Sequence, residues 1–226
     1  MQIETLDHIA LWVGDRDTLA GFLTDHAGMH VIDRTEAFTL VGADARRGKL
    51  TLFAAEGERG PGVLERVGLR VFDLEEALAG LPPGIQVERE DGTAAFEAPG
   101  GLRLAFVEAD EGTAYDLHHV AFRVPDPEAT FGQLAGLGFA VEDGRLRAGD
   151  SLVLLEEGDA EEGESPLLNH LGLRVQSADD HLAEAKQRGL EIADVVDAAN
   201  TYAVFVWGPD RIKLEYVEHK PTFSLT

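Results

Sequence analysis

Histidine recurs at one place in a segment that the chain uses four times: Leu6–Val13 (LDHIALWV), Leu64–Val71 (LERVGLRV), Leu117–Val124 (LHHVAFRV) and Leu168–Val175 (LNHLGLRV). The starts lie 58, 53 and 51 residues apart, the signature of an internal repeat, so equivalent positions can be compared. Position three holds His8, Arg66, His119 and His170. A carboxylate recurs nearby in the last part of the chain, where Glu215 sits between Leu214 and Tyr216 in the run RIKLEYVE. A carboxylate inside an apolar strand needs a partner to offset its desolvation. Two imidazoles and one carboxylate can make the facial triad that leaves open positions on a non-haem Fe(II). The expected ligands of a divalent metal are therefore His119, His170 and Glu215. Glu156, at the end of LVLLEE (152–157), becomes a fourth ligand if its Leu-Glu aligns on Leu214-Glu215. A register shift would move it off the site.

These residues require strands to hold them. Each repeated segment alternates a uniformly apolar set, such as Ile9, Leu11 and Val13, with a mixed polar and small set. That is a half-buried strand with one face on a core and the other on a cavity or solvent. By the same alternation Arg123, Arg174 and Lys213 share the metal-bearing faces and could steady an anionic substrate. Amphipathic stretches follow the strands, opened by Asp15, Asp126 and Ser177, whose side chains can cap a helix, and closed near Gly28, Gly138 and Gly189. Further short strands, separated by turns such as Pro99-Gly100-Gly101 and Gly208-Pro209-Asp210, complete a βαβββ unit. The expected fold class is α+β, with four βαβββ modules paired into two similar halves.

The boundary is expected in 108–116. Residues 1–110 then form an N-terminal half without metal, and 111–226 a metal-bearing C-terminal half. In the first half His8 survives, Arg66 replaces the second histidine, and the positions matching Glu215 are about Thr51 and Ala105. A lone imidazole holds metal poorly, so this half reads as structural. His118, His181 and His219 read as surface residues, and the acidic stretch 158–164 as a solvated loop.

A strand opening Leu-x-His-hydrophobic-small, a closing strand Lys-Leu-Glu-Tyr-Val and paired βαβββ modules resemble the vicinal-oxygen-chelate superfamily. That superfamily includes glyoxalase I, extradiol ring-cleaving dioxygenases, and the bleomycin and fosfomycin resistance proteins. Four modules with ligands in the second half look like the extradiol layout, whose triad falls on His119, His170 and Glu215. The resemblance implies a non-haem Fe(II) dioxygenase acting on a small catecholic substrate. It departs where a catalytic histidine belongs: residues 194–200 offer none, and Phe205 stands in the place of the usual tyrosine, as a substrate contact. Tyr202 and His219 are the groups left to carry the proton. A ligand order His, Glu, His, Glu through Glu156 resembles glyoxalase I instead and implies a lyase or isomerase using Ni(II), Zn(II) or Mn(II). A metal-free protein that sequesters a small molecule in the same cavity is the third class.

Bulk properties narrow the partners. Nineteen Lys and Arg face 42 Asp and Glu, a formal charge of −23. Such a field repels nucleic acid and anionic membranes, leaving a small-molecule substrate, with a homo-oligomer possible. No cysteine is present, which excludes disulfides, thiolate metal sites and thiol nucleophiles. The N-terminal residues have neither a basic head nor an apolar stretch, so a cytoplasmic location is expected. Only four lysines accompany the acidity, which points to adaptation to high salt.

Overall fold

The computed structural model describes residues 1–57, 59–110, 112–159 and 165–225, so residues 160–164 of the expected acidic loop lie outside the described residues. The four modules form as the repeat predicts. The first runs β1 (Thr5–Val13), α1 (Arg16–His26), β2 (His30–Arg34), β3 (Phe38–Asp44) and β4 (Arg47–Ala54). The second runs β5 (Leu64–Val71), α2 (Leu74–Ala79), β6 (Val87–Glu90), β7 (Thr93–Ala98) and β8 (Leu102–Glu108). The third comprises β9 (Leu117–Val124), α3 (Pro127–Gly136), β10 (Ala140–Glu142), β11 (Arg145–Ala148) and β12 (Ser151–Glu157). The fourth comprises β13 (Leu168–Arg174), α4 (Ala178–Arg188), β14 (Ile192–Asp197), β15 (Thr201–Trp207) and β16 (Lys213–His219).

Each helix begins where a side chain satisfies a first-turn amide. Asp15 accepts from the Thr18 N–H, Asp73 from Glu76, Asp126 from Ala129 and Ser177 from Asp180. Gly189 closes α4 with φ 65°, a left-handed conformation that glycine adopts without Cβ strain. No helix among the described residues is long and apolar enough to cross a membrane.

Two eight-stranded mixed sheets result, and they are two similar halves. Their composition differs from the expected one. One sheet runs β14-β15-β16-β13-β1-β4-β3-β2, so the first module pairs with the fourth. The other runs β10-β11-β12-β9-β5-β8-β7-β6, pairing the second with the third. A division at 110/111 therefore falls within the second sheet, between β8 and β9. The repeated strands meet antiparallel at each centre, β1 against β13 and β5 against β9, with the fourth strand of each module parallel beside its first. The chain crosses between sheets twice, after β4 and after β12. The two crossings are bonded to each other, with Gly60 N–H on Ser165 O at 3.2 Å and Leu167 N–H on Gly60 O at 2.7 Å.

The apolar face of the repeated strands, Ile9, Leu11, Val67, Leu69, Val120, Phe122, Leu171 and Leu173, is buried in a single core that also takes Leu19, Leu23, Leu134 and Ala185 from the helices. Burying such side chains supplies about 1.5–3 kcal/mol each relative to exposure. The opposite face of each sheet is left to carry the polar and small residues.

Candidate metal centre

Across the first sheet, β1 and β13 bring His8 and His170 together, and β16 adds Glu215. The three ligand atoms form a nearly equilateral triangle. His8 Nε2 and His170 Nε2 are 3.0 Å apart, and Glu215 Oε2 lies 3.0 Å from each. Among the described residues this is the one group of three His, Cys, Asp or Glu side chains that could hold a metal ion. An octahedral face with bonds of about 2.1 Å has edges of about 3.0 Å, whereas a tetrahedral face has edges of about 3.4 Å. The donor set fits the octahedral case. Glu215 Oε2 is fully buried and makes no hydrogen bond of good geometry, as a ligand oxygen would be expected to do.

Strand pairing makes the triangle possible. His8 stands opposite Gly172, and a Cβ at Gly172 would lie 2.2 Å from the His8 ring. The small residue that follows each position-three side chain by two thus stands opposite the partner strand's position-three side chain. Both strands also skip a residue in the pairing, Asp7 on β1 and Asn169 on β13. Those two residues turn onto the histidines they precede. His8 Nδ1 lies 2.8 Å from Asp7 Oδ1 and His170 Nδ1 lies 3.0 Å from Asn169 Oδ1. An Nδ1–H donated to each oxygen aims both Nε2 atoms at the common point, the arrangement that orients metal-binding imidazoles, and a metal there would take the place of the proton that His8 Nε2 carries in its absence.

Behind His8 lies a buried polar network. Asp7 is 2% exposed and accepts from Lys49 Nζ at 2.9 Å and from His219 Nε2 at 2.8 Å. Burial opposes the charge on Asp7, but Lys49, His219 and His8 hold its pKa well below the ordinary value. At Glu215 burial is likewise overcome, by His8 and His170, and the pKa falls to about 2. His8 is raised to about 9, because Glu215 and Asp7 outweigh its desolvation. For His170 desolvation wins and the pKa is lowered.

Beside the His170 ring opens a cleft of about 400 Å³ lined by Phe53, Phe205, Trp207, Lys213, Asn169 and Asp194, among others. Phe205 meets the His170 ring edge-on at 5.1 Å between centroids, and Lys213 Nζ lies 5.3 Å from the Trp207 ring centre. Burial lowers the Lys213 pKa. Phe205 and Lys213 both line this cleft.

Several expectations are corrected. His119 is on the other sheet, opposite Gly68, so it does not join His170 and Glu215. Glu156 pairs with Arg123, while Leu154, opposite Ala121, occupies the position that Glu215 holds opposite Gly172. The feared register shift is real and amounts to two residues. Thr51, opposite Ala10, is the counterpart of Glu215 in the first sheet, and Ala105, opposite Gly68, in the second. Arg123 is bonded to Glu65 on the second sheet, and Arg174 to Glu4 and the Arg46 carbonyl, so neither lines the cleft. Tyr202 pairs with Glu218, on the opposite face of the sheet from Glu215. It bonds Asp179 at the start of α4. His219 stacks on Phe223 at 4.0 Å and serves Asp7, away from the cleft. His181 is 7% exposed, accepting from Gln2 N–H and bonded to Ser177 O, so it is no surface residue.

The residues that sequence reasoning undervalued are His8, Asp7 and Asn169. Their signal was present: among the three position-three histidines, only His8 and His170 follow an acidic or amide residue.

A family model for the Glyoxalase/Bleomycin resistance protein/Dioxygenase superfamily matches residues 5–216. A protein from Bacillus subtilis subsp. subtilis str. 168, described provisionally as a dioxygenase, superposes with TM-score 0.77 at 18% identity, covering 98% of this chain and 87% of its own. Glyoxalase I from Zea mays gives TM-score 0.71 at 17% identity, covering 95% of this chain and 92% of its own. The cppA protein from Streptococcus pneumoniae TIGR4 gives 0.68 at 14%, covering 96% and 100%. At these identities the likeness concerns the fold. No curated protein matches the chain by sequence.

Proposed function

The chain belongs to the Glyoxalase/Bleomycin resistance protein/Dioxygenase superfamily, and within it we propose a metal-dependent enzyme of the extradiol-dioxygenase type that takes a small aromatic substrate bearing oxygens. The observation that carries this reading is the 3.0 Å triangle of His8 Nε2, His170 Nε2 and Glu215 Oε2. Those three residues would hold the metal on one face. With Thr51 at the fourth equivalent position, no second carboxylate among the described residues joins the cluster, so exchangeable positions remain. When bound, Fe(II) in such a site supplies the activation of dioxygen and of the substrate's oxygens.

The chain's own residues supply binding and orientation. Phe53, Phe205 and Trp207 offer apolar faces and edges to an aromatic ring. Lys213 Nζ, at the same cleft, pairs with an anionic substrate oxygen and is the cleft's cationic proton donor. Asp7 and Asn169 fix the tautomers of His8 and His170. The apolar walls exclude water from the ring's edges, which strengthens these electrostatic contacts. Glyoxalase-type chemistry, with Ni(II), Zn(II) or Mn(II), requires a second ligating carboxylate, and Glu156 is on the other sheet. That difference favours the oxygenase reading.

Metal analysis of anaerobically purified protein, followed by an oxygen electrode with a small catechol panel, tests the proposal. Near-stoichiometric metal and catechol-dependent oxygen uptake by the Fe(II) form are expected, with uptake reduced in Lys213→Met. A hemithioacetal assay of the Ni(II) form should show no turnover. Metal retained in full by a His8/His170 double alanine variant, or no oxygen uptake with any catechol, would overturn the reading.

A further inference from the structure

The second sheet repeats the geometry of the first around a different cation. At its centre β5 contributes Arg66 where β1 has His8, and β9 contributes His119 where β13 has His170. Arg66 Nε donates to His119 Nε2 at 3.3 Å, and Arg66 Nη1 to Glu156 Oε1 at 2.6 Å. The guanidinium thus meets the inward lone pair of His119, as a metal would in the other sheet. A Cβ at Gly68 would lie 2.3 Å from the His119 ring, the same close approach seen between Gly172 and His8.

The hydrogen-bond chain has a forced direction. Arginine can only donate, so His119 Nε2 accepts and its proton sits on Nδ1. His119 Nδ1 lies 3.0 Å from His118 Nδ1, so His118 accepts there and carries its own proton on Nε2. His118 occupies the skipped position of β9, as Asn169 does on β13, and lines one cleft with His119. Both imidazoles stay neutral, as this chain requires. Burial, with Arg70 and Arg147 adding, takes His118 to about 4, and burial with His118 and Arg66 takes His119 to about 3. The His118 Nε2–H and the Arg66 Nη2 hydrogens remain as donors.

A cleft of about 620 Å³ opens on these two groups, with Ala95, Val107 and Leu154 among its apolar lining. Arg89 and Arg103 also line it but are paired with Glu75 and Glu88, while Glu90 and Asp91 add negative charge. Arg66 is paired too, with Glu156, but it alone of the three also donates to His119 beside the His118 Nε2–H, so it is the cation placed to share a ligand with that donor, and the acidic lining disfavours bulky polyanions.

We propose that this cleft is a metal-free site for a small organic carboxylate, held by the Arg66 guanidinium and the His118 Nε2–H with its short apolar tail toward Ala95, Val107 and Leu154. Glu156 is the internal competitor for Arg66. A planar carboxylate matches the guanidinium fork and displaces or shares that contact.

Isobutyrate is a suitable probe because it lacks a ring and so discriminates against the aromatic cleft beside His170. Titration of the full chain is followed by imidazole ¹⁵N NMR. Saturable shifts at His118 and His119 are expected. Affinity should fall at least tenfold in Arg66→Met and in His118→Phe, less in Arg66→Lys, and rise severalfold in Glu156→Gln. It should be unchanged in Lys213→Met. The absence of saturable shifts, or equal affinity in the wild type, Arg66→Met and Glu156→Gln, would overturn the proposal. Glu156 is surface-accessible, so its variant folds without rearranging the core and keeps the test decisive. Neither result bears on whether His8, His170 and Glu215 hold metal.

Discussion

At the scale of single residues, two sets of histidines have opposite electrostatic surroundings. His8 and His170 face a carboxylate, whereas His119 faces a guanidinium. Metal binding should therefore be lost in His8→Ala, His170→Ala and Glu215→Gln but kept in His119→Ala, which metal content after gel filtration would show. Removing one of three ligands should weaken the site severely, and removing Asp7 or Asn169, which only orient, about 10–100-fold. His119 instead gives a stability signature. Its folded pKa of about 3 lies below the unfolded value of 6.5, so the unfolded chain binds the extra proton between those values. The stability it contributes is complete above pH 6.5 and is lost as pH falls through that window. The largest slope for one proton is about 1.4 kcal/mol per pH unit. Urea midpoints at pH 7 and pH 5 should fall less in His119→Gln than in the wild type. An identical fall in both would show that His119 is not buried neutral.

At the scale of elements, the four repeated strands are engineered by their small and skipped positions as much as by their histidines. Gly172 leaves the volume that the His8 ring fills, and Gly68 does the same for His119. Gly172→Ala should therefore push His8 off the common point and lower metal affinity at least tenfold while the fold persists. Gly68→Ala should leave metal affinity unchanged, since it perturbs only the second sheet. Metal titrations of both variants, with circular dichroism as the folding control, check this. Equal effects of the two substitutions would refute the assignment of His8 and His119 to separate sites. The skipped residues explain why strand alternation alone misjudges position two. Asp7, Glu65, His118 and Asn169 all sit at a break in register, and Asp7, His118 and Asn169 turn onto the histidines they precede while Glu65 bonds Arg123.

At the scale of the molecule, the charge of −23 is concentrated outside the core, because among the described residues only Asp7, Asp116 and Glu215 are buried acids. Carboxylates on the surface repel over a screening length of about 10 Å at 0.1 M salt and about 3 Å at 1 M. The expectation of salt adaptation then predicts a thermal midpoint that climbs steeply from low to molar potassium chloride. A flat or falling midpoint would mark an ordinary acidic surface.

The sequence by itself determined the modules. Alternation places the apolar set of each repeated strand on one face, and capping side chains start the helices where Asp15, Asp126 and Ser177 stand, because both effects act within a few residues. It also singled out position three and Glu215 as candidate ligand positions. Only the tertiary structure decided which position-three residues meet. All four strands present the same edge pattern, so nothing local distinguishes β13 from β5 as the partner of β1. Pairing the first module with the fourth moved the triad from His119 to His8 and left Arg66 to face His119. That choice is made by long-range packing of helices and sheets into one core, in which residues more than 160 positions apart, such as His8 and His170, come within 3.0 Å.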